Sequence, residues 1–312
     1  MKYRKLNILI GLITAIVCLE IVARLLGFGE TVRVELHDKI EYVLVKNQDV
    51  TRFGNKIKTN KLGQRSEEIS ELKGVDEKRV MLLGDSVVYG NHHVSQSETI
   101  AHYAKQALQE TLVDNRVSVL SAAASSWGPK NQLEYLKERG LYESDLVFLV
   151  ISTHDIFDFP TFKSSVIPYR VNKNIGATDD FIYAVYNRAV PWLVAKFSQK
   201  NNSIDFEAAK VKTKSIIEEI FALVRGKGSN VILVFHPAEY QLMSQQLDVS
   251  FFENIAIDNG VKFIDLKSRY IELNKTRDNK VHYDGMHLTP KGAALVASVV
   301  HDETLKFLRR EQ

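Results

Sequence analysis

Two hydrophobic periods alternate along most of this chain. Continuous apolar runs of strand length lie at residues 80–84, 117–122, 146–152, 230–235 and 261–266. Between them, apolar positions recur at helical spacing over 98–112, 129–139, 205–225 and 290–308. Pro129 and Pro290 open two of these helices, and Gly226 ends a third. Continuous apolar strands separated by helices predict a five-stranded parallel sheet covered on both faces. Residues 157–203 break the rhythm with three prolines, several aromatics and Asn172-Lys173-Asn174. This is an expected insertion after the third strand, at the carboxyl end of the sheet, where open α/β folds bind ligands.

The N-terminus follows another pattern. A basic start, Met1-Lys2-Tyr3-Arg4-Lys5, precedes an uncharged, mostly aliphatic stretch at 6–19. Glu20 and Arg24 then fall at i,i+4, where they can pair on one helix face. Residues 6–28 are long enough for a membrane span, which needs roughly 20 residues. Lys2, Arg4 and Lys5 would keep the N-terminus inside, so 1–28 is expected to be a single anchor in the inner (cell) membrane with the remainder outside. A cleaved signal peptide and a peripheral or buried helix are the alternatives. No small-x-small site follows the apolar core, and Ala15-Ile16-Val17 before Cys18 is a poor lipoprotein box. Residues 29–75 are polar and turn-rich, expected as a juxtamembrane stalk with short strands, either extended or folded back on the main domain at 76–312.

Composition narrows the function classes. The 312 residues are 45% hydrophobic and 25% charged, with no low-complexity stretch or repeat, which excludes disordered and solenoid architectures. The net charge is +3, and its Lys and Arg residues form no aromatic-interleaved cluster, so no nucleic-acid partner is expected. Cys18 is the sole cysteine, which excludes an intramolecular disulfide. Neither metal-ligand spacing nor a phosphate-cradling glycine loop is present, so no metal and no cofactor is expected.

The chemistry lies at two ends of the pattern. Val80-Met81-Leu82-Leu83 runs into Gly84-Asp85-Ser86, and Asp284-Gly285-Met286-His287 precedes the last helix. A serine hydroxyl needs an imidazole to take its proton, and the imidazole needs a carboxylate to fix its tautomer. Ser86, His287 and Asp284 are therefore the candidate catalytic residues, with Asp85 a candidate cap for the turn after the strand. His236-Pro237 is expected as a strand-ending turn, with lining of the cleft as the alternative, and His92-His93 as a solvated loop, with substrate contact as the alternative.

In this order the blocks resemble those of the SGNH (GDSL-type) hydrolase superfamily, over residues 78–310. The resemblance implies a flavodoxin-like three-layer α/β/α sandwich and an acyl-ester chemistry. It also implies an oxyanion hole from the Ser86 N–H and two middle blocks, both of which depart from the pattern. Ser126 stands in the place of a glycine, with Gly128 nearby, and His154 stands in the place of an asparagine, as an oxyanion donor or, alternatively, as a histidine that only braces the loop. The implied function is a serine esterase acting on acyl esters, in the first instance acetyl esters of cell-surface or exported polysaccharide. An O-acyltransferase using the same triad is the first alternative. The second, favoured by the two altered blocks, is a non-catalytic glycan-binding or assembly protein.

Overall fold

A computed structural model describes residues 2–163, 170–197, 205–243, 247–276 and 279–310. It begins with α1 (Lys2–Leu25), which has no polar face and holds its aliphatic side chains outward along most of its length. Over Tyr3–Leu25 this helix is long and apolar enough to cross a membrane. Glu20 and Arg24 pair at 2.7 Å.

The segment 29–75 packs onto the main domain, the folded-back form of the expected stalk with short strands. It forms two antiparallel hairpins, β1 (Val34–His37) with β2 (Glu41–Leu44) and β3 (Asp49–Arg52) with β4 (Asn55–Lys58). Val34, Tyr42, Leu44 and Ile57 join the central core. The strands are four residues long, so only one or two apolar side chains each face inward, and the surrounding polar turns hide that signal. Polar contacts fix the packing: the Tyr42 hydroxyl donates to the Ser125 carbonyl, and the Trp127 indole donates to the Tyr42 carbonyl at 3.1 Å. Arg65 is wholly buried and donates to the carbonyls of Tyr89, Asn91 and Val94, bracing the chain just beyond Ser86.

The main domain then runs β5 (Glu77–Gly84), α2 (Ser86–Tyr89), α3 (Ile100–Thr111), β6 (Arg116–Ala123), α4 (Pro129–Arg139) and β7 (Leu146–Ile151). It continues with α5 (Ala177–Phe197), α6 (Phe206–Gly226), β8 (Asn230–Phe235), α7 (Leu247–Asp258), β9 (Lys262–Asp265), α8 (Lys267–Asn274) and α9 (Pro290–Leu308). The five strands are parallel, in the order β6-β5-β7-β8-β9. Right-handed crossovers leaving β5 and β6 in opposite directions put their helices on opposite faces. Accordingly α3 packs on α9 and α4 on α6, giving the expected flavodoxin-like sandwich. β5 and β7 are apolar from Val80 to Leu83 and throughout Leu146–Ile151 because neither face meets water.

Strand order reverses at β5, which opens a crevice at its carboxyl end. Ser86 stands there. Within the expected insertion, α5 is the element described; residues 164–169 and 198–204 lie outside the described residues.

Candidate active site

Asp85 ends the β5 turn and caps α2, accepting from the Val87 N–H at 2.8 Å. That cap starts the helix at Ser86, whose hydroxyl is thereby held at the switch point. The chain returns 201 residues later on the loop before α9, where the His287 Nε2 lies 3.0 Å from the Ser86 Oγ. His287 Nδ1 donates to Asp284 Oδ2 at 2.7 Å. Asp284 Oδ1 accepts from the N–H groups of Met286 and His287, at 3.2 and 2.9 Å. Gly285, at φ +91°, makes the turn that lets one carboxylate serve both backbone and ring. Partial burial works against the Asp284 charge, but these donors and the His287 ring bring its pKa down to about 2. It is therefore ionised at any working pH and fixes the imidazole tautomer with Nδ1 protonated. Ser86, His287 and Asp284 are brought together as one relay.

The four candidate oxyanion donors divide. The N–H groups of Ser86 and Ser126 have no partner among the described residues. Ser126 sits at φ +57°, the left-handed region that a glycine adopts freely, and it bears a side chain there at some cost in strain. The Gly128 N–H is already spent on Asn131 Oδ1 at 3.1 Å, capping α4. Gly128 is required for a different reason: a Cβ there would lie 1.9 Å from the Asp158 carbonyl oxygen.

His154 departs most from expectation. Its Nε2 bonds Asp85 Oδ2 at 3.0 Å and its Nδ1 the Ser152 hydroxyl at 2.7 Å, so neither ring nitrogen is left to meet an oxyanion. The reason is electrostatic. Burial alone would lower its pKa, but Asp155, Asp85 and Asp158 surround the ring and raise it to about 10. Asp85 is held low against its own burial by that imidazolium and the Val87 N–H. Asp155, wholly buried and with Oδ1 unpartnered among the described residues, is pushed up by burial to about 7, and Asp158 likewise to about 6. The His154 imidazolium and the ionised Asp85 thus form the core of a cluster beneath Ser86 whose two other carboxyls, Asp155 and Asp158, hold their protons to higher pH than free ones.

Three further residues reach the relay, of which Asn91 has no sequence signal that marks it. Asn91 points Nδ2 at His287 Nε2, 3.0 Å away, and its Oδ1 accepts from the Ser125 hydroxyl. His93 stacks on the His287 ring, centroids 4.7 Å apart, and is itself covered by Tyr283. Burial first, then the neighbouring His287, lowers the His93 pKa, so it stacks as a neutral ring. The expected solvated pair His92-His93 is therefore part of the site wall. His236, expected as a turn residue, is wholly buried; its Nε2 donates to the Met286 carbonyl at 2.8 Å while Nδ1 accepts from Tyr270 at 2.7 Å. It pins the Asp284–His287 loop to the end of β8.

Two groups, His93/Asp284/His287 and Asp85/His154/Asp155, bring potential metal-ligand atoms within 4.8 Å of one another. Hydrogen bonds and ion pairs link the first group, and in the second His154 bonds Asp85 while Asp155 is held by the Ser152 N–H and hydroxyl.

Scans against known protein families and against curated proteins give no match. Among solved structures, similar chains are found. A two-domain esterase active on acetylated mannans is 14% identical, with a TM-score of 0.47, over 74% of this chain and 49% of that one. The chain thus spans about half the length of that protein. An acetyl xylan esterase is 15% identical over 72% of this chain and 98% of its own, with a TM-score of 0.47. The lipase/acylhydrolase from Enterococcus faecalis is 16% identical over 73% and 96%, with a TM-score of 0.43.

Proposed function

We propose that this chain is a serine esterase of the SGNH type, hydrolysing small acyl esters. The observation that supports it is the continuous relay from Asp284 through His287 to a serine at the sheet's switch point. His287 Nε2 takes the Ser86 proton as Oγ attacks the ester carbonyl. The oxyanion is met by the Ser86 and Ser126 N–H groups. As the tetrahedral intermediate collapses, the imidazolium returns its proton to the leaving alkoxide. Water, deprotonated by the same nitrogen, then releases the acyl group as a carboxylic acid and restores Ser86. A donor aimed at the oxyanion is worth about 3 kcal/mol, so two backbone donors support chemistry at a reduced rate. With α1 as an N-inside anchor, the domain stands outside the membrane, and the substrate is an acyl ester, acetyl in the first instance, on a cell-surface or exported glycan.

A non-catalytic role on the same scaffold is the second reading, favoured by the occupied His154 ring and Gly128 N–H. Full-length protein in detergent, assayed with p-nitrophenyl acetate, separates the two. Ser86→Ala should lower kcat by at least about 10³-fold. A rate equal to wild type in the folded variant would remove the esterase proposal.

A further inference from the structure

The outer face of α5 runs against the usual rule for a surface helix, which turns its apolar stripe inward. Ile182, Val185 and Tyr186, at i, i+3 and i+4, are 58%, 49% and 62% exposed. The inner face is the more polar one. Asp180, Tyr183 and Asn187 on that face line a pocket that extends to Asn91, and Asn91 touches the His287 ring.

This inverted helix is tied directly to α1. The Glu20 carboxylate accepts from the Ala177 and Thr178 N–H groups, both at 2.9 Å, and so caps the first turn of α5. The Gly29 N–H donates to Asp180 Oδ2 at 3.0 Å, Asn174 donates to the Gly29 carbonyl at 2.6 Å, and Phe28 packs edge-on against Phe181. α5 therefore starts at the level where α1 leaves its uncharged stretch. Its two acidic residues are neutralised, Asp179 by Arg170 at 2.7 Å and Asp180 by Arg52. The sequence continues Val190-Pro191-Trp192-Leu193-Val194, a composition with the aromatic residue favoured at membrane interfaces.

We propose that α5 is a second membrane contact, its Ile182–Val185–Tyr186 stripe resting on the lipid surface beside α1. This rests on α1 spanning the membrane. The occupant is lipid because α5 packs directly on α1, a helix that is apolar all round, which sets this exposed apolar stripe beside the anchor. The pocket under α5 then opens at the bilayer surface, and esters presented there reach Ser86 first.

The test uses full-length Cys18→Ser protein carrying one new cysteine, labelled with an environment-sensitive fluorophore. The protein is reconstituted in phosphatidylcholine/phosphatidylglycerol vesicles, and brominated lipid serves as quencher. Labels at Tyr186→Cys, at Ile13→Cys within α1 and at Val211→Cys on α6 are compared. The proposal expects lipid quenching at positions 13 and 186 and none at 211. Quenching at 13 with a water-exposed label at 186 overturns it. So does a label at 186 shielded from aqueous iodide yet unquenched by lipid, the signature of a protein partner or a second copy. An unquenched label at 13 removes the anchor and this proposal together. No turnover is measured, so the esterase proposal stands or falls separately.

Discussion

Replacing His154 by alanine strands the Asp85 carboxylate, 2% exposed, without its imidazolium partner. Breaking a buried ion pair by removing one partner costs about 3–5 kcal/mol. The His154 side chain is 37% exposed, so water reaches the vacated space, and Asp85 keeps the Val87 N–H. The expected loss is therefore smaller, about 2–3 kcal/mol. Asp85→Asn in the same background removes the stranded charge, keeps an acceptor for the cap, and should recover about 1 kcal/mol or more. The pH dependence has a definite sign. A free imidazole titrates near 6.5 and this one near 10, so the pair's contribution is complete below about pH 6.5 and is lost as pH rises toward 10. Urea unfolding of the full-length chain, followed by tryptophan fluorescence, measures both quantities. The gap between wild type and His154→Ala should shrink from pH 7 to pH 10. Wild-type stability in His154→Ala, with kcat reduced by about 10²-fold, would refute the reasoning and return His154 to the oxyanion hole.

Gly128→Ala should destabilise the fold by about 3 kcal/mol or more, because its Cβ would meet the Asp158 carbonyl at 1.9 Å; thermal melting reads this directly. Asn91→Ala should lower kcat by about tenfold with little change in unfolding midpoint, since its amide bonds His287 Nε2; equal rates would make Asn91 a loop residue only. His236 stays neutral down to about pH 3 in the folded chain, while the unfolded chain binds its proton near 6.5. Wild-type stability should thus fall with pH between those values, and His236→Phe should flatten that slope in acid-unfolding curves while lowering stability at pH 7 by about 2 kcal/mol.

The sheet was legible because its strands are buried on both sides: an apolar run such as Leu146–Ile151 has few other uses. At 34–58 only the presence of short strands was legible, because four-residue strands with one face in water leave too few apolar positions to fix their bounds and pairing. Ser86, Asp284 and His287 could be paired from order along the chain, since each sits at an element boundary. His93 was singled out only by its place soon after Ser86, and Asn91 not at all, because their role depends on a left-handed turn at Gly90-Asn91 that aims the chain back at His287, 196 residues on from Asn91. His154 carried a positional expectation that its charge environment overrode. Three carboxylates from two loops converge on it, and sequence spacing does not reveal that convergence.

Covalent labelling tests the central claim most directly. Full-length protein treated with a fluorophosphonate at pH 7.5 should gain one adduct, located by peptide mass spectrometry on Ser86. Ser86→Ala should gain none there, and His287→Ala should label far more slowly because the hydroxyl keeps its proton. No adduct on Ser86 in the folded wild type, or equal labelling rates with and without His287, would contradict a relay that activates this serine.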